Sequence, residues 1–214
     1  MAGKITVIRE TLINFNQANK FGSWPIKLKS LTPVSSFDLK FLTQIFAKHG
    51  RKFEHDLILC SARRCKYNFI QVLLCKSFDA HLKPFPTNFW LTCPYLIYRA
   101  AKLEAQGGVK QLENFLTAHN KFKDWDKYNR GHSLLRMSLI NFRTRDFLRK
   151  HRPKIFNALK SNGIGGIKTR PNEIKIKCLH LQTASFLALD YHPAELWLKN
   201  NGLINDCNCE NYCC

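Results

Sequence analysis

Acidic residues are scarce in this chain: 15 Asp and Glu stand against 34 Lys and Arg, a formal net charge of +19 over 214 residues. The shortage is sharpest between residues 120 and 177, where sixteen basic residues face four acidic ones. An AT-rich genome would explain the many lysines but not so few acids. A field of this sign concentrates phosphate-bearing polymers near the surface, so RNA or another polyanion is the expected partner.

Long apolar runs are missing too. None approaches the ~18 residues of a membrane-crossing helix, so no membrane span is expected. The first ten residues contain no apolar h-region and no small-residue cleavage site, which points to a cytoplasmic location. In a reducing compartment the nine cysteines read as thiols that pack, ligate metal or catalyse, rather than as bridges. There is no P-loop, no nucleophile elbow, no H-E-x-x-H and no dinucleotide fingerprint, so the enzyme classes built on those motifs have no support. There is also no C-x-x-C knuckle, so a metal site would have to be assembled from distant segments. Without repeats or an evident linker, residues 36–200 are expected to form one compact domain. An N-terminal arm (1–35) precedes it and a cysteine-rich tail (201–214) follows.

What is present reads as an α+β fold, mostly helical, with a short β-hairpin packed on several helices. Leu39, Leu42 and Phe46 recur at helical spacing, with Ser36 as N-cap and Gly50 as the stop. The apolar runs at 56–61 and 69–75 suit two strands. Pro94 opens a helix with its stripe at Leu96, Ile97, Ala100 and Leu103, ended by Gly107 and Gly108. Further helices are expected over 109–125, over 133–151 with Pro153 as the stop, and as a final pair over 179–189 and 194–199.

Several side chains could carry chemistry. Cys93 falls at the cap of the helix that Pro94 opens, where unpaired backbone N–H groups favour a thiolate. Burial as a small hydrophobe is the alternative. Cys178 and His180 place a thiol and an imidazole two residues apart. They point the same way if the segment is extended, and diverge if it is helical. Cys65 lies among Arg63, Arg64 and Lys66, which would depress a thiol pKa. In the tail, Cys207 and Cys209 are possible accessory ligands. His119 lies on the apolar face of its helix and is expected to be a satisfied core histidine. The turn containing Gly163, Gly165 and Gly166 would either present N–H groups to an anion or permit close packing. Arg143, Arg145 and Arg149 are the expected polyanion contacts.

These residues fall in a recognisable order: Gly50-Arg51, Arg64-Cys65, Pro84-Phe85-Pro86-Thr87, Trp90-Leu91-Thr92-Cys93-Pro94, Leu103-Glu104, Ala118-His119, Gly163-Ile164-Gly165-Gly166-Ile167 and Lys177-Cys178-Leu179-His180. The pattern resembles an uncharacterised bacterial family catalogued as domain of unknown function 501, over roughly 38–198. The resemblance implies that Cys65, His119, Cys178 and His180 belong to the family's motif set. It also implies that Cys or His can stand at position 93, an exchange suited to a metal ligand. It further implies a link to cell division, through members labelled septum-formation-related. The chain departs from the pattern at His192-Pro193-Ala194-Glu195 and at Phe122 and Asp126.

The expectation is a cytoplasmic metal-binding protein, with Cys65, Cys93, Cys178 and His180 around zinc or an iron–sulfur cluster and a basic surface for RNA or another polyanion. Whether it is an enzyme stays open. The alternatives are a scaffold or regulatory protein of cell division with structural cysteines, and a thiol enzyme using Cys93 or Cys178.

Overall fold

A computed structural model describes residues 27–48, 50, 55–85 and 87–204. Three antiparallel strands form a small sheet in the order β1 (Ile58–Arg64), β2 (Ile70–Cys75), β3 (Phe89–Leu91). β1 and β2 make the expected hairpin, closed by the Cys65 N–H donating to the Phe69 carbonyl and by Asn68 at φ 68. β3 was not foreseen, because three residues are too few to show a period. It pairs Val72 with Leu91 and Leu74 with Phe89.

Strand alternation sends side chains to both faces of the sheet, and both are covered. Val72, Leu74, Phe89 and Leu91 enter the main core. Leu73 and Cys75 enter a second cluster with Leu42, Ile45 and Phe46 of helix α1 (Ser36–Lys48). The remaining α-helices among the described residues are α2 (Pro94–Ala105), α3 (Gly108–Ala118), α4 (Phe122–Ser138), α5 (Phe142–His151), α6 (Pro153–Ser161), α7 (Leu179–Ala188) and α8 (Glu195–Asn200). The protein is α+β and mostly helical.

α7 is the central element, lying against β3 and α2. Leucine, alanine and phenylalanine recur on every side of it, and Gln182, Thr183 and Ser185 are buried with them. Every residue in it is buried except His180. A satellite cluster of Ile140, Leu148 and Leu159 joins α5 to α6.

Two expected helices are divided. The one over 109–125 stops at Ala118 because Asn120 adopts φ 51, which a helix cannot continue through. The one over 133–151 is interrupted at 139–141: Ser133 sits inside α4, and Asn141 starts α5 by accepting the Thr144 N–H at 2.9 Å. Pro153, expected as a stop, is the first residue of α6, where its missing N–H costs nothing. Residues 27–35 run beside the sheet and α7, with bridges between Leu28 and Leu189 and between Thr32 and Ser61.

Candidate functional site

Cys178 is extended (φ −165, ψ 157) and forms the N-cap of α7. His180 lies in the first turn of that helix. The boundary between extended and helical backbone therefore falls between the two residues, a case intermediate between the two conformations weighed from the sequence. Both meet a third group. The Glu104 carboxylate, in the last turn of α2, accepts the backbone N–H of Leu179 at 2.5 Å and lies 3.0 Å from His180 Nδ1.

One ligand atom each of Glu104, Cys178 and His180 lies within 4.8 Å of the others. These backbone and ring contacts all fall on Oε1, so Oε2 carries none of them. Because a carboxylate only accepts, His180 Nδ1 donates to it, leaving Nε2 with its lone pair. Glu113 holds the approach to the site by accepting the Ile176 N–H at 3.0 Å.

Cys178 and His180 line a cavity of about 190 Å³ with Thr87, Phe89, Trp90 and Lys177. Burial raises the Cys178 thiol pKa; the amides of Leu181 and His180 and the charge of Lys177 pull it back, and Glu104 pushes it up. An undisturbed site therefore favours the neutral thiol. A cation bound to the sulfur would reverse that balance, since a coordinating thiol is deprotonated.

The other expected ligands stand elsewhere. Cys65 is buried in the hairpin turn. Cys93 is the N-cap of α2, as its place before Pro94 suggested, but at 2% exposure it belongs to the main core. Among the described residues, neither joins a group of three donors. Cys60 and Cys75 are buried in the sheet, and desolvation pushes the Cys60 thiol up to about 12. None of the described cysteines is disulfide-bonded. Cys207 and Cys209 lie outside the described residues.

His119 is not a core histidine. It caps the C-terminus of α3 in an exposed position, with Nδ1 2.8 Å from the Phe115 carbonyl, because the helix ends one residue before it. The glycine turn is a packing device. A Cβ on Gly163 would meet Asn129 Oδ1 at 2.1 Å, and one on Gly165 would meet Leu181 Cδ2 at 2.5 Å. The N–H groups of Gly163, Ile164 and Gly166 are bonded internally, to Ile167, Asn129 and Gly163, so they are not turned to an anion. On α5, Arg145 donates to the Met137 and Ile140 carbonyls, Arg149 pairs with Asp146 at 3.1 Å, and Arg143 lies over the Phe142 ring.

Sequence reasoning gave Glu104 no role. A signal did exist: a carboxylate in the last turn of a helix opposes the helix dipole, and so calls for a tertiary partner. Arg136 was also missed. It is 1% exposed, and it donates to the carbonyls of Leu159, Asn162 and Gly163, fixing the end of α6 against α4.

The fold and this group define an α+β protein with a carboxylate, a thiol and an imidazole gathered at the N-terminus of its central helix. The chain belongs to the family described as protein of unknown function (DUF501), whose model matches residues 61–199. No curated protein and no solved structure matches it. Among the described residues, no helix is long and apolar enough to cross a membrane.

Proposed function

We propose that this is a cytoplasmic metal-binding protein that holds a zinc ion at Glu104, Cys178 and His180 and uses its basic surface for RNA or another polyanion. The observation that carries the reading is the convergence of three donors of different type, two of which, Cys178 and His180, line a cavity. Sulfur, nitrogen and oxygen donors together suit zinc, and three protein ligands with an open fourth position are the arrangement of sites that bind water or substrate. A single thiolate in the group fits an iron–sulfur cluster poorly, since clusters take several cysteines. Glu104 and His180 Nδ1 stand 3.0 Å apart, and a zinc ion held by both would take the place of the proton they share. A bound zinc would act there as a Lewis acid. The chain itself contributes the capped helix end and the apolar walls of Phe89 and Trp90.

One observation favours a second reading. A carboxylate, an imidazole and a thiol within 4.8 Å of one another are also the parts of a thiol enzyme. The raised Cys178 thiol argues against it, because such an enzyme needs the thiolate without a metal's help.

The test is metal content after anaerobic purification without a metal-binding tag, together with the spectrum of the cobalt-loaded protein. About one zinc per chain is expected, with a thiolate-to-cobalt charge-transfer band that Cys178→Ser abolishes. Metal-free protein that is fully folded and does not shift its melting temperature on adding zinc overturns the reading. Rapid alkylation of Cys178 that zinc does not slow supports the thiol enzyme instead.

A further inference from the structure

On α4, Lys123, Lys127 and Arg130 recur at intervals of four and three residues, which places them on one side of the helix. They line a depression of about 870 Å³ whose opposite wall carries Lys160, at the end of α6, and Arg170, in the loop beyond the glycine turn. The acid in this wall, Asp126, is bound to Arg130 at 2.9 Å, so the lysines set the sign of the field. The depression does not end there. Arg170, which pairs with Glu173 at 3.8 Å, also borders a second one, of about 410 Å³, where Lys168, Lys175 and Lys177 outnumber that acid beside Gly165 and Gly166. Lys177 borders that second depression and the cavity that holds Cys178 and His180.

The cations thus follow a line across three adjoining depressions. One phosphate would need only one of them. A line of positive charge suits a chain of phosphates, whose counterions are released as each is neutralised. The walls add a second feature: Phe122, Leu134 and Pro171 give the largest depression an apolar surface, and Leu134 is 46% exposed. Bases have faces to lay on such a surface, and inorganic polyphosphate has none.

We propose that this line is a binding groove for single-stranded nucleic acid, entered between α4 and α6 and leading past the glycine turn toward Cys178 and His180. The inference rests on the polyanion half of the function proposed above and is independent of the metal. It places the contact on α4, α6 and the 168–177 segment rather than on α5, where Arg145 and Arg149 are already engaged with a helix end and with Asp146.

The experiment is fluorescence anisotropy with a labelled oligouridine of about 12 nucleotides, as a function of salt, on the full chain. The double variant Lys127→Glu/Lys160→Glu is expected to weaken binding about tenfold or more and to flatten the salt dependence. Arg143→Glu/Arg149→Glu serves as the matched control and is expected to change binding far less. Because charge reversal could disturb folding, Lys127→Gln/Lys160→Gln, with melting temperature checked, should reproduce the direction of the loss. A loss confined to the α5 variant overturns the groove and leaves polyanion binding standing. Binding of inorganic polyphosphate without oligouridine binding overturns the nucleic-acid assignment alone. No binding of either at low salt overturns both this inference and the polyanion reading, while metal content, measured separately, is untouched by the result.

Discussion

His192 is held in one tautomer by its two neighbours: Nδ1 accepts the Ala194 N–H at 3.0 Å, so Nε2 carries the proton and donates to Gln182 Oε1 at 3.1 Å. Burial, with a further contribution from Lys29, lowers its pKa to about 3. His132, enclosed between the rings of Phe89 and Tyr128, is also lowered, by burial first and then by Arg136 and His192. Both histidines are therefore neutral in the folded protein at neutral pH.

The expected consequence is acid sensitivity. In the unfolded chain a histidine titrates near about 6.5. Above that pH neither state gains a proton and the stability is fully present. Below it the unfolded chain binds protons that the folded chain refuses, so stability falls as pH drops toward the folded-state values. The slope is about 1.4 kcal/mol per pH unit for each such histidine. Urea unfolding between about pH 7 and pH 4 reads it directly, and His192→Gln should make the acid limb shallower. A midpoint that does not move over that interval would contradict the assignment.

Gly163 and Asn129 make a second prediction. The Asn129 side chain accepts the Ile164 N–H at 3.0 Å and donates to the Trp125 carbonyl at 2.9 Å, and its oxygen occupies the space a Cβ on Gly163 would need. Gly163→Ala should destabilise by about 1–3 kcal/mol through overpacking. Asn129→Ala should cost a similar amount, because it strands a buried amide. The two losses should be less than additive in a double-mutant cycle, since each disturbs one contact.

Arg136 offers the largest single effect. Burial lowers its pKa to about 10, so it remains charged near neutrality and its three carbonyl acceptors compensate for the lost water. Arg136→Met fills much of the volume and removes every donor. Chemical denaturation should show a loss on the order of 3 kcal/mol. Arg136→Lys should recover only part of it, because an ammonium cannot match the planar fork.

Glu104 should separate into two roles. Glu104→Gln keeps an acceptor for the Leu179 N–H and so should hold the melting temperature close to that of the parent protein. Glu104→Ala removes the cap of α7 and should cost about 1 kcal/mol. Both should weaken zinc binding if the carboxylate is a ligand. Equal zinc affinity in all three proteins would limit Glu104 to capping.

The hairpin, the α2 start at Pro94 and the buried last long helix were legible because each shows a local pattern: an apolar run, a proline, a stop. The breaks at Asn120 and Asn141 were not, because each rests on a single asparagine inside an otherwise helical run, the first through its left-handed backbone angle and the second as an N-cap. The site was half legible. Cys178 and His180 are neighbours in the chain, whereas Glu104 reaches them through the contact of α2 with α7, which no local spacing records. Cys65 and Cys93 looked equivalent to Cys178 in sequence, because burial depends on what packs above a residue and not on its own neighbours.

The pairing of Thr32 with Ser61 is reciprocal, each N–H donating to the other's carbonyl, at 3.0 and 2.9 Å. Ser61 belongs to β1, which among the described residues has β2 on one side and no further strand of the sheet on the other. The chain thus uses a short stretch of its own backbone to occupy an outer rim that would otherwise be a template for another molecule's strand. Arg64 reinforces the cover by donating to the Thr32 hydroxyl, the Pro33 carbonyl and the Asp38 carboxylate. A protein shortened to begin at residue 36 keeps the Arg64–Asp38 pair and loses the guard strand. Self-association is the expected price of that shortening, visible as a rise in light scattering with concentration while the helical signal stays intact.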